Sequence, residues 1–277
     1  MTQITASQVN SLRKQTGAGM MDCKKALVET GGDMDKAIDV LRKKGQKVAA
    51  NRADRDSSEG VVLSATSEDC KTGVMLSLNC ETDFVAKNQS FISFANAILR
   101  IAMDHKANSV EDLKKLQYDN SMSISEKLIE QTGVIGEKIE LNNYSLIKAE
   151  FVSSYIHNGN KLSSLVGFNM RDTNAIEIGQ NIAMQIAAMN PLGLNESDIS
   201  QDIVDNEIEI AKDLARKEGK PEEMLDRISQ GRLKKFFKEN TLLHQIFIQD
   251  SKKTVKQYLA DCNNDLDILS FRRSSLT

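Results

Sequence analysis

The sequence is poor in the residues that most often build β-sandwiches, metal centres and disulfide frameworks. It has no tryptophan, two prolines among 277 residues and 5% aromatic residues, a composition that favours helices and argues against an all-β sandwich. Its four cysteines are scattered, and no two have the spacing of metal ligands. They are typical of reduced, packed cysteines in a cytosolic protein: Cys23, Cys70, Cys80 and Cys262.

Long hydrophobic runs and nucleotide-binding loops are also missing. No apolar run reaches membrane-spanning length and no charged-then-apolar leader opens the chain, so the sequence predicts a cytoplasmic protein without a membrane partner. The absence of a GxxxxGK loop predicts no direct nucleotide binding. A hydrolase built from Cys80, Asp83 and His157 lacks an oxyanion-hole motif. We therefore expect no catalytic residue, no metal site and no cofactor.

Charge divides the chain into a basic head and an acidic remainder. Residues 1–55 hold eleven Lys and Arg against six Asp and Glu, whereas the whole chain carries a net charge of −3. A basic head indicates an acidic partner surface, although a solvated helical face would have the same composition. One functional alternative is therefore a ribosome- or nucleic-acid-binding protein that uses the basic N-terminal segment.

The first 45 residues predict three short helices, separated by glycine-containing turns. Thr5 or Ser7 can cap the first helix, Asp22 can cap the second, and the third is expected to end at Gly45. Met20 and Met21 are predicted to lie in a glycine-bounded loop, where adaptable methionine side chains suit a binding surface. Core packing is the alternative for both methionines. The polar stretch 46–59 is predicted to be a linker.

Two hairpin-plus-helix patterns follow the linker. The apolar runs 60–66 and 73–79 predict an antiparallel hairpin, and the periodic segment that begins near Ser90 predicts a helix packed on it. Residues 110–132 predict one or more helices, and residues 134–141 a loop that enters a strand. A second hairpin is predicted from a strand at 147–157, the turn Asn158-Gly159-Asn160 and the returning run KLSSLVGF, with a helix over 173–189.

The C-terminal third predicts a projecting helical hairpin and a return to the core. Residues 197–239 are highly charged, with two apolar stripes on either side of Gly219. A strand is predicted at 242–249 and a helix from Thr254. The predicted fold class is α+β, with these segments: 1–52, the three-helix module; 53–59, the linker; 60–141, the first core subdomain; 142–196, the first part of the second; 197–239, the inserted helical hairpin; 240–277, the completion of the second.

The segment 79–88, NCETDFVAKN, joins the second apolar run to the next helix. Asp83 has a short side-chain acceptor that can cap a first turn, and Phe84 directly after it can point outward as a rigid aromatic wedge. Burial of Phe84 in the core is the alternative.

TDFVAKN after an apolar strand, together with TGAGMMDCKKAL at 16–27, resembles the elongation factor Ts family. The resemblance implies a ubiquitin-associated-like N-terminal module and a guanine-nucleotide exchange factor without enzymatic chemistry. Its partner would be elongation factor Tu, bound in the GDP-bound and nucleotide-free states, with a possible homodimer through 197–239. The family commonly continues past the strand that FRRSSLT resembles into a further helical module, which is not expected here.

The resemblance also implies specific residues for the interaction. Four positions would displace the partner's Mg²⁺ and disturb its phosphate site, so that GDP leaves and the factor stays bound until GTP binds: Thr82, Asp83, Phe84 and Val85. Eight further positions would contact the partner: Arg13, Met20, Met21, Ile135, Gly136, His157, Ile248 and Gln249.

Overall fold

The computed structural model describes residues 4–276, which form a mixed fold of helices and small antiparallel sheets. The helices are α1 Ala6–Thr16, α2 Met20–Glu29, α3 Met34–Asn51, α4 Asp83–Ala86, α5 Gln89–His105, α6 Val110–Lys115, α7 Ile124–Ile135, α8 Ala175–Met189, α9 Gln201–Lys217, α10 Glu222–Asn240 and α11 Val255–Cys262. The strands are β1 Glu59–Thr66, β2 Thr72–Cys80, β3 Glu140–Lys148, β4 Phe151–Ile156, β5 Leu162–Phe168, β6 Ile246–Phe247, β7 Asp250–Thr254 and β8 Ile268–Ser275.

Two three-stranded sheets have the same topology. Each consists of a hairpin whose second strand also pairs with a strand from farther along the chain, in the orders β1-β2-β3 and β4-β5-β8. All of these pairs are antiparallel, with Glu59 opposite Cys80 in the first hairpin and Phe151 opposite Phe168 in the second. Both hairpins are present, although the first strand of the second begins later than predicted. The third strands extend the similarity between the two hairpin-plus-helix patterns.

The prediction of one strand over 147–157 is wrong, because the chain changes sheets within it. Ile147 belongs to β3 in the first sheet, and Phe151 opens β4 in the second. Ile147 and Val152 both lie in the apolar cluster between the two sheets. The apolar pattern therefore continues across the change from β3 to β4, so hydrophobicity alone does not show that two strands are present.

The molecule is layered around the two packed sheets. The first sheet packs its outer face on α5, α6 and α7, and the second packs on α8 and α11. A Cβ built on Gly73 of β2 would lie 2.6 Å from Val152 Cγ1, so the sheets approach closely only because this residue is glycine.

The N-terminal helices are confirmed, but two of their predicted boundaries are wrong. Thr5, one of the two predicted caps, is the N-cap of α1 and forms a capping box with Gln8. Gly19, not Asp22, is the N-cap of α2 and makes no side-chain cap bond, while Asp22 forms an ion pair with Lys44. The likeness of α1–α3 to a ubiquitin-associated module stays a prediction.

The third helix passes through Gly45 and ends at Asn51, so the predicted end and the first part of the predicted linker are wrong. Gly45 is buried where α3 crosses α7, and a Cβ built on Gly133 of α7 would lie 2.5 Å from Gly45 Cα. Glycine costs roughly 1 kcal/mol in a helix interior. The close packing of two backbones offsets that cost, which no local signal reveals.

The predicted helical hairpin is confirmed as α9 and α10, joined by ion pairs such as Lys212–Asp226 at 3.1 Å and Arg232–Glu218 at 2.7 Å. The strand predicted over 242–249 is wrong for all but β6, because residues 242–245 form turns. No helix among residues 4–276 is both long and apolar enough to cross a membrane. The domain boundaries given above stay predictions.

Candidate functional site

The turn at residues 82–85 is a four-residue helix attached to the end of a buried strand. β2 is buried along its length and ends at Cys80, and α4 begins three residues later. Thr82 is the N-cap, with extended backbone angles, and its hydroxyl accepts the Val85 N–H at 3.4 Å. The predicted cap, Asp83, is wrong because this residue is already helical.

Phe84 is 84% exposed, the largest exposed fraction among the large apolar side chains that the structure describes. Ala86, two residues later, is buried, and Val85 packs partly against the core of the first sheet. Burial of Phe84 in the core is therefore excluded. The short helix is anchored through one face and presents the phenylalanine on the other.

Opposite charges surround Phe84. Asp83 Oδ2 accepts a hydrogen bond from Lys87 Nζ at 2.7 Å. This bond, with a smaller contribution from the charge of Lys161, lowers the pKa of Asp83 below its usual value. Lys161 itself pairs with Glu59 at 2.8 Å. The Asp83 carboxylate is therefore ionised at neutral pH and lies near the hairpin turn between β4 and β5.

Glu137, just after α7, holds the start of the turn by hydrogen bonds. Its carboxylate accepts the Glu81 N–H at 3.2 Å, the Thr82 N–H at 3.0 Å and the Thr82 hydroxyl at 2.7 Å. In return, Glu81 Oε1 accepts the Lys138 N–H at 2.6 Å and pairs with Arg52 Nη1 at 2.7 Å. The segment 81–82 and the segment 137–138 are thus joined by their own side chains.

These bonds place Ile135 and Gly136 beside the Phe84 turn. They do not lie in a loop that enters a strand, as predicted, because Ile135 ends α7 and Gly136 is its left-handed C-cap with φ of 80°. The preceding residue, Val134, lies against the α1–α2 connection, where a Cβ built on Gly17 would be 3.7 Å from its Cγ1. The N-terminal helices therefore adjoin the same end of α7.

Arg13, Met20 and Met21 are all exposed on these N-terminal helices. Arg13 lies in the last turn of α1, and the two methionines are 53% and 63% exposed. The prediction that the methionines occupy a loop is wrong, because they form the first turn of α2. Their exposure excludes the alternative of core packing.

His157 and the pair Ile248–Gln249 lie on the second half of the body. His157 is exposed before the β4–β5 turn, and its Nδ1 is 2.9 Å from the Tyr155 hydroxyl. Ile248 N–H donates to the buried Gln185 side chain at 2.8 Å, and Gln249 donates to Asn181 at 2.8 Å.

These contacts join the α1–α2 connection to the end of α7, and the end of α7 to the Phe84 turn. His157 lies before the β4–β5 turn. Ile248 and Gln249 are anchored separately, on α8.

Cys80, the thiol at the end of β2, is not a reactive nucleophile. Burial, helped by the charge of Glu137, raises the pKa of the Cys80 thiol to about 12, so it is a protonated and unreactive group at neutral pH. Among residues 4–276, no group of His, Cys, Asp and Glu side chains is arranged to hold a metal ion. The exposed apolar side chains Met20, Met21 and Phe84, with charged groups such as Asp83 and Lys87 beside Phe84, are suited to binding another macromolecule.

Sequence reasoning missed Glu81, Glu137 and Arg52. Glu137 acts on residues 55 and 56 positions away, and Arg52 reaches Glu81 across 29 positions. No periodicity or local motif marks such contacts. The one available signal is the position of Glu137 directly after the glycine that ends α7.

Comparison with known proteins identifies close relatives of the chain. Residues 81–277 match the family described as Elongation factor TS. The Elongation factor Ts of Christiangramia forsetii is 54% identical over 276 residues and that of Flavobacterium psychrophilum 49% identical over 276, in both cases across 100% of each chain. The protein of the same name from Chlorobaculum tepidum is 44% identical over 268 residues, covering 94% of this chain and 93% of its own.

Proposed function

Because this chain belongs to the elongation factor Ts family, we propose that it is the guanine-nucleotide exchange factor of elongation factor Tu. It would bind the GDP complex, promote GDP release and stay on the nucleotide-free partner until GTP binds. The observation that carries the proposal is Phe84, which is 84% exposed on a turn fixed by hydrogen bonds. A large apolar side chain held in water in this way suits insertion into a partner.

The proposed exchange requires no bond-breaking. The factor binds nucleotide-free elongation factor Tu more tightly than the GDP complex. By thermodynamic linkage, it weakens GDP binding by the same factor by which GDP weakens its own binding. The chain needs no nucleotide site or cofactor of its own.

The Phe84 turn supplies the part of the interaction that opposes nucleotide. Burying Phe84 in an apolar gap of the partner would contribute roughly 1.5–3 kcal/mol, comparable to a good hydrogen bond to a charged group. Asp83 beside it is a carboxylate at neutral pH and would compete for the polar groups near the partner's Mg²⁺. Thr82 and Val85 complete the turn that carries them.

The other predicted contact residues supply binding that does not depend on the nucleotide. Arg13, Met20 and Met21 would hold the partner's nucleotide domain from the N-terminal helices, which adjoin the end of α7 through Gly17 and Val134. A second set would dock another domain of the partner: Ile135, Gly136, His157, Ile248 and Gln249. Two separated areas of contact give the wedge leverage on the nucleotide site.

Self-association through the helical hairpin is a second part of the proposal. Ile203, Ile210 and Leu214 form one stripe on α9, and each is 39–44% exposed. A second copy of the chain would bury this stripe.

Release of a fluorescent GDP analogue from elongation factor Tu tests the function directly. We expect the rate to rise with factor concentration and to saturate, with little change between low and moderate salt. A nucleic-acid-binding protein would instead bind RNA with an affinity that falls steeply with salt. Unaccelerated release together with salt-sensitive RNA binding would replace the proposal with that alternative.

A further inference from the structure

Two carboxylates cross between the start of the Phe84 turn and the end of α7. Glu137 accepts three hydrogen bonds from Glu81 and Thr82, while Glu81 accepts one from the Lys138 backbone. Hydrogen bonds to an ionised group are shorter and stronger than neutral ones. The two segments therefore hold each other by reciprocal bonds from side chain to backbone.

The turn needs this external support. An isolated helix of four residues is not stable, since forming the first turn fixes several backbone angles for a single hydrogen bond. The Thr82 cap bond to Val85 is long, at 3.4 Å, whereas the Thr82 hydroxyl reaches Glu137 at 2.7 Å. The orientation of α4, and so of Phe84, depends on Glu137 more than on the cap.

The two carboxylates are poorly placed to contact a partner themselves. The Glu81 side chain is only 16% exposed and is covered by Arg52, itself 33% exposed. Glu137 is half-buried, with its oxygens directed to the 81–82 segment. The contacts that they make all lie within the protein.

We propose that Glu137, with Glu81 as its reciprocal partner, is a positioning residue that holds Phe84 in the orientation that releases nucleotide. The inference rests on the proposed function and adds to it a part that touches neither nucleotide nor partner. Loss of Glu137 leaves Phe84 present but free to reorient. The factor still binds through its other contacts, but it loses acceleration of GDP release.

The test compares four proteins in GDP release from elongation factor Tu: the wild type, Glu137→Ala, Phe84→Ala and the double variant. We expect Glu137→Ala to lower the saturating release rate by about tenfold, while the concentration that gives half of this rate changes little. Because Glu137 acts through Phe84, the double variant should be no slower than the slower single variant. Glu137→Gln, which keeps one acceptor oxygen, should be intermediate.

A matched control is Glu140→Gln. Glu140 lies three residues further along, pairs with Lys138 at 3.2 Å and has no hydrogen bond to residues 81–85. Glu140→Gln removes one carboxylate, as Glu137→Gln does, and should keep the wild-type rate of GDP release. Melting temperatures of all variants separate a positioning effect from unfolding, and Glu137→Gln serves if Glu137→Ala does not fold.

Amide hydrogen exchange measures how firmly the turn is held in the free protein, without elongation factor Tu. The N–H groups of Glu81 and Thr82 should exchange slowly in the wild type and faster in Glu137→Ala, with the strand interior unchanged.

Wild-type rates in Glu137→Ala, or losses that multiply in the double variant, would overturn the inference while leaving the function intact. A wild-type protein without any acceleration would overturn the proposed function, and the inference with it.

Discussion

At the scale of single residues, two phenylalanines seven positions apart have opposite surroundings. Phe84 is 84% exposed, and Phe91 is 1% exposed in the core of the first sheet. Truncating an exposed side chain changes stability by less than about 0.5 kcal/mol, whereas truncating a buried phenylalanine costs about 3–5 kcal/mol. Stability and exchange should therefore separate at these two positions.

We predict that Phe84→Ala melts like the wild type but accelerates GDP release about tenfold less, since each 1.4 kcal/mol of lost coupling is a factor of ten. Phe91→Ala is the matched control and should melt early, yet exchange normally at a temperature where it is folded. Calorimetry and nucleotide release on the same samples check both. Early melting of Phe84→Ala with normal exchange would contradict the wedge.

A second prediction concerns pH and Cys80. Burial raises the pKa of this thiol to about 12 in the folded protein, while an unfolded cysteine titrates near 8.5. Between these values the unfolded state binds fewer protons, so the free energy of unfolding falls as the pH rises above about 9, by at most about 1.4 kcal/mol per pH unit. Below pH 8 the thiol contributes no pH dependence.

Urea unfolding at pH 8 and pH 10.5 measures this effect in the wild type and in Cys80→Ala. We expect the variant to lose less stability than the wild type between the two pH values. Equal losses in both proteins would show that the Cys80 thiol does not titrate as its burial implies.

Residue environments were predictable where the local pattern decides them. The local sequence narrows the cap of α1 to Thr5 or Ser7, and Thr5 is the one used. For Phe84 the local pattern leaves core burial and an outward position both open, and only the resemblance of TDFVAKN favours the exposed position that the structure shows. The sequence predicts Asp83 as the cap of α4, because the side chains of Asp and Thr both offer a suitable acceptor. What selects Thr82 is its bond to Glu137, a contact 55 positions away that local chemistry does not encode.

At the scale of elements, the crossing of α3 and α7 joins the N-terminal helices to the body. We predict that Gly133→Ala destabilises the protein by about 1–3 kcal/mol, because its Cβ would lie 2.5 Å from Gly45 Cα and force the two helices apart. Hydrogen exchange in α3 and α7 should quicken together. The measurement is thermal unfolding followed by exchange of the two helices.

Gly231→Ala on α10 is the matched control. A Cβ there meets nothing within 4 Å, so alanine should stabilise the helix by up to about 1 kcal/mol. Two variants of equal stability would mean that the crossing tolerates a wider separation than the structure gives it.

Elements were predictable where a single apolar face runs from end to end, as in α5 and α9, and where a turn separates two short apolar runs, as in β1–β2. They were not predictable where the chain stays buried while the strand or side chain that it hydrogen-bonds to changes. The 147–157 segment is buried on both sides of its change of sheet. Within 242–249, hydrogen bonds of buried amide side chains take the place of strand pairing. Gln185 on α8 donates to the Gln245 side chain and to the Ile246 carbonyl, and Gln245 donates to the Glu239 carbonyl.

At the scale of the whole molecule, the helical hairpin α9–α10 projects from a stem whose two ends meet. Leu192 N–H donates to Asn240 C=O at 2.8 Å, and Leu242 N–H donates to Gly193 C=O at 2.8 Å. We predict that replacing residues 201–238 by a short Gly/Ser linker leaves nucleotide release largely intact and removes self-association. Sedimentation and GDP release on the same protein check this, and a shortened protein that stays dimeric would place the dimer contact elsewhere.

The distant third strand of each sheet has a consequence for the order in which the protein is made. The first sheet is complete once residue 148 has been synthesised, but the second lacks β8 until residue 275. At about 5–20 residues per second, the ribosome takes on the order of ten seconds to cover that interval. From the synthesis of residue 168 until that of β8, one side of β5 has no neighbouring strand, and an unpaired edge is open to pairing with another chain. The nascent protein therefore passes through a stage in which one half is finished and the other is exposed to association with the wrong strand.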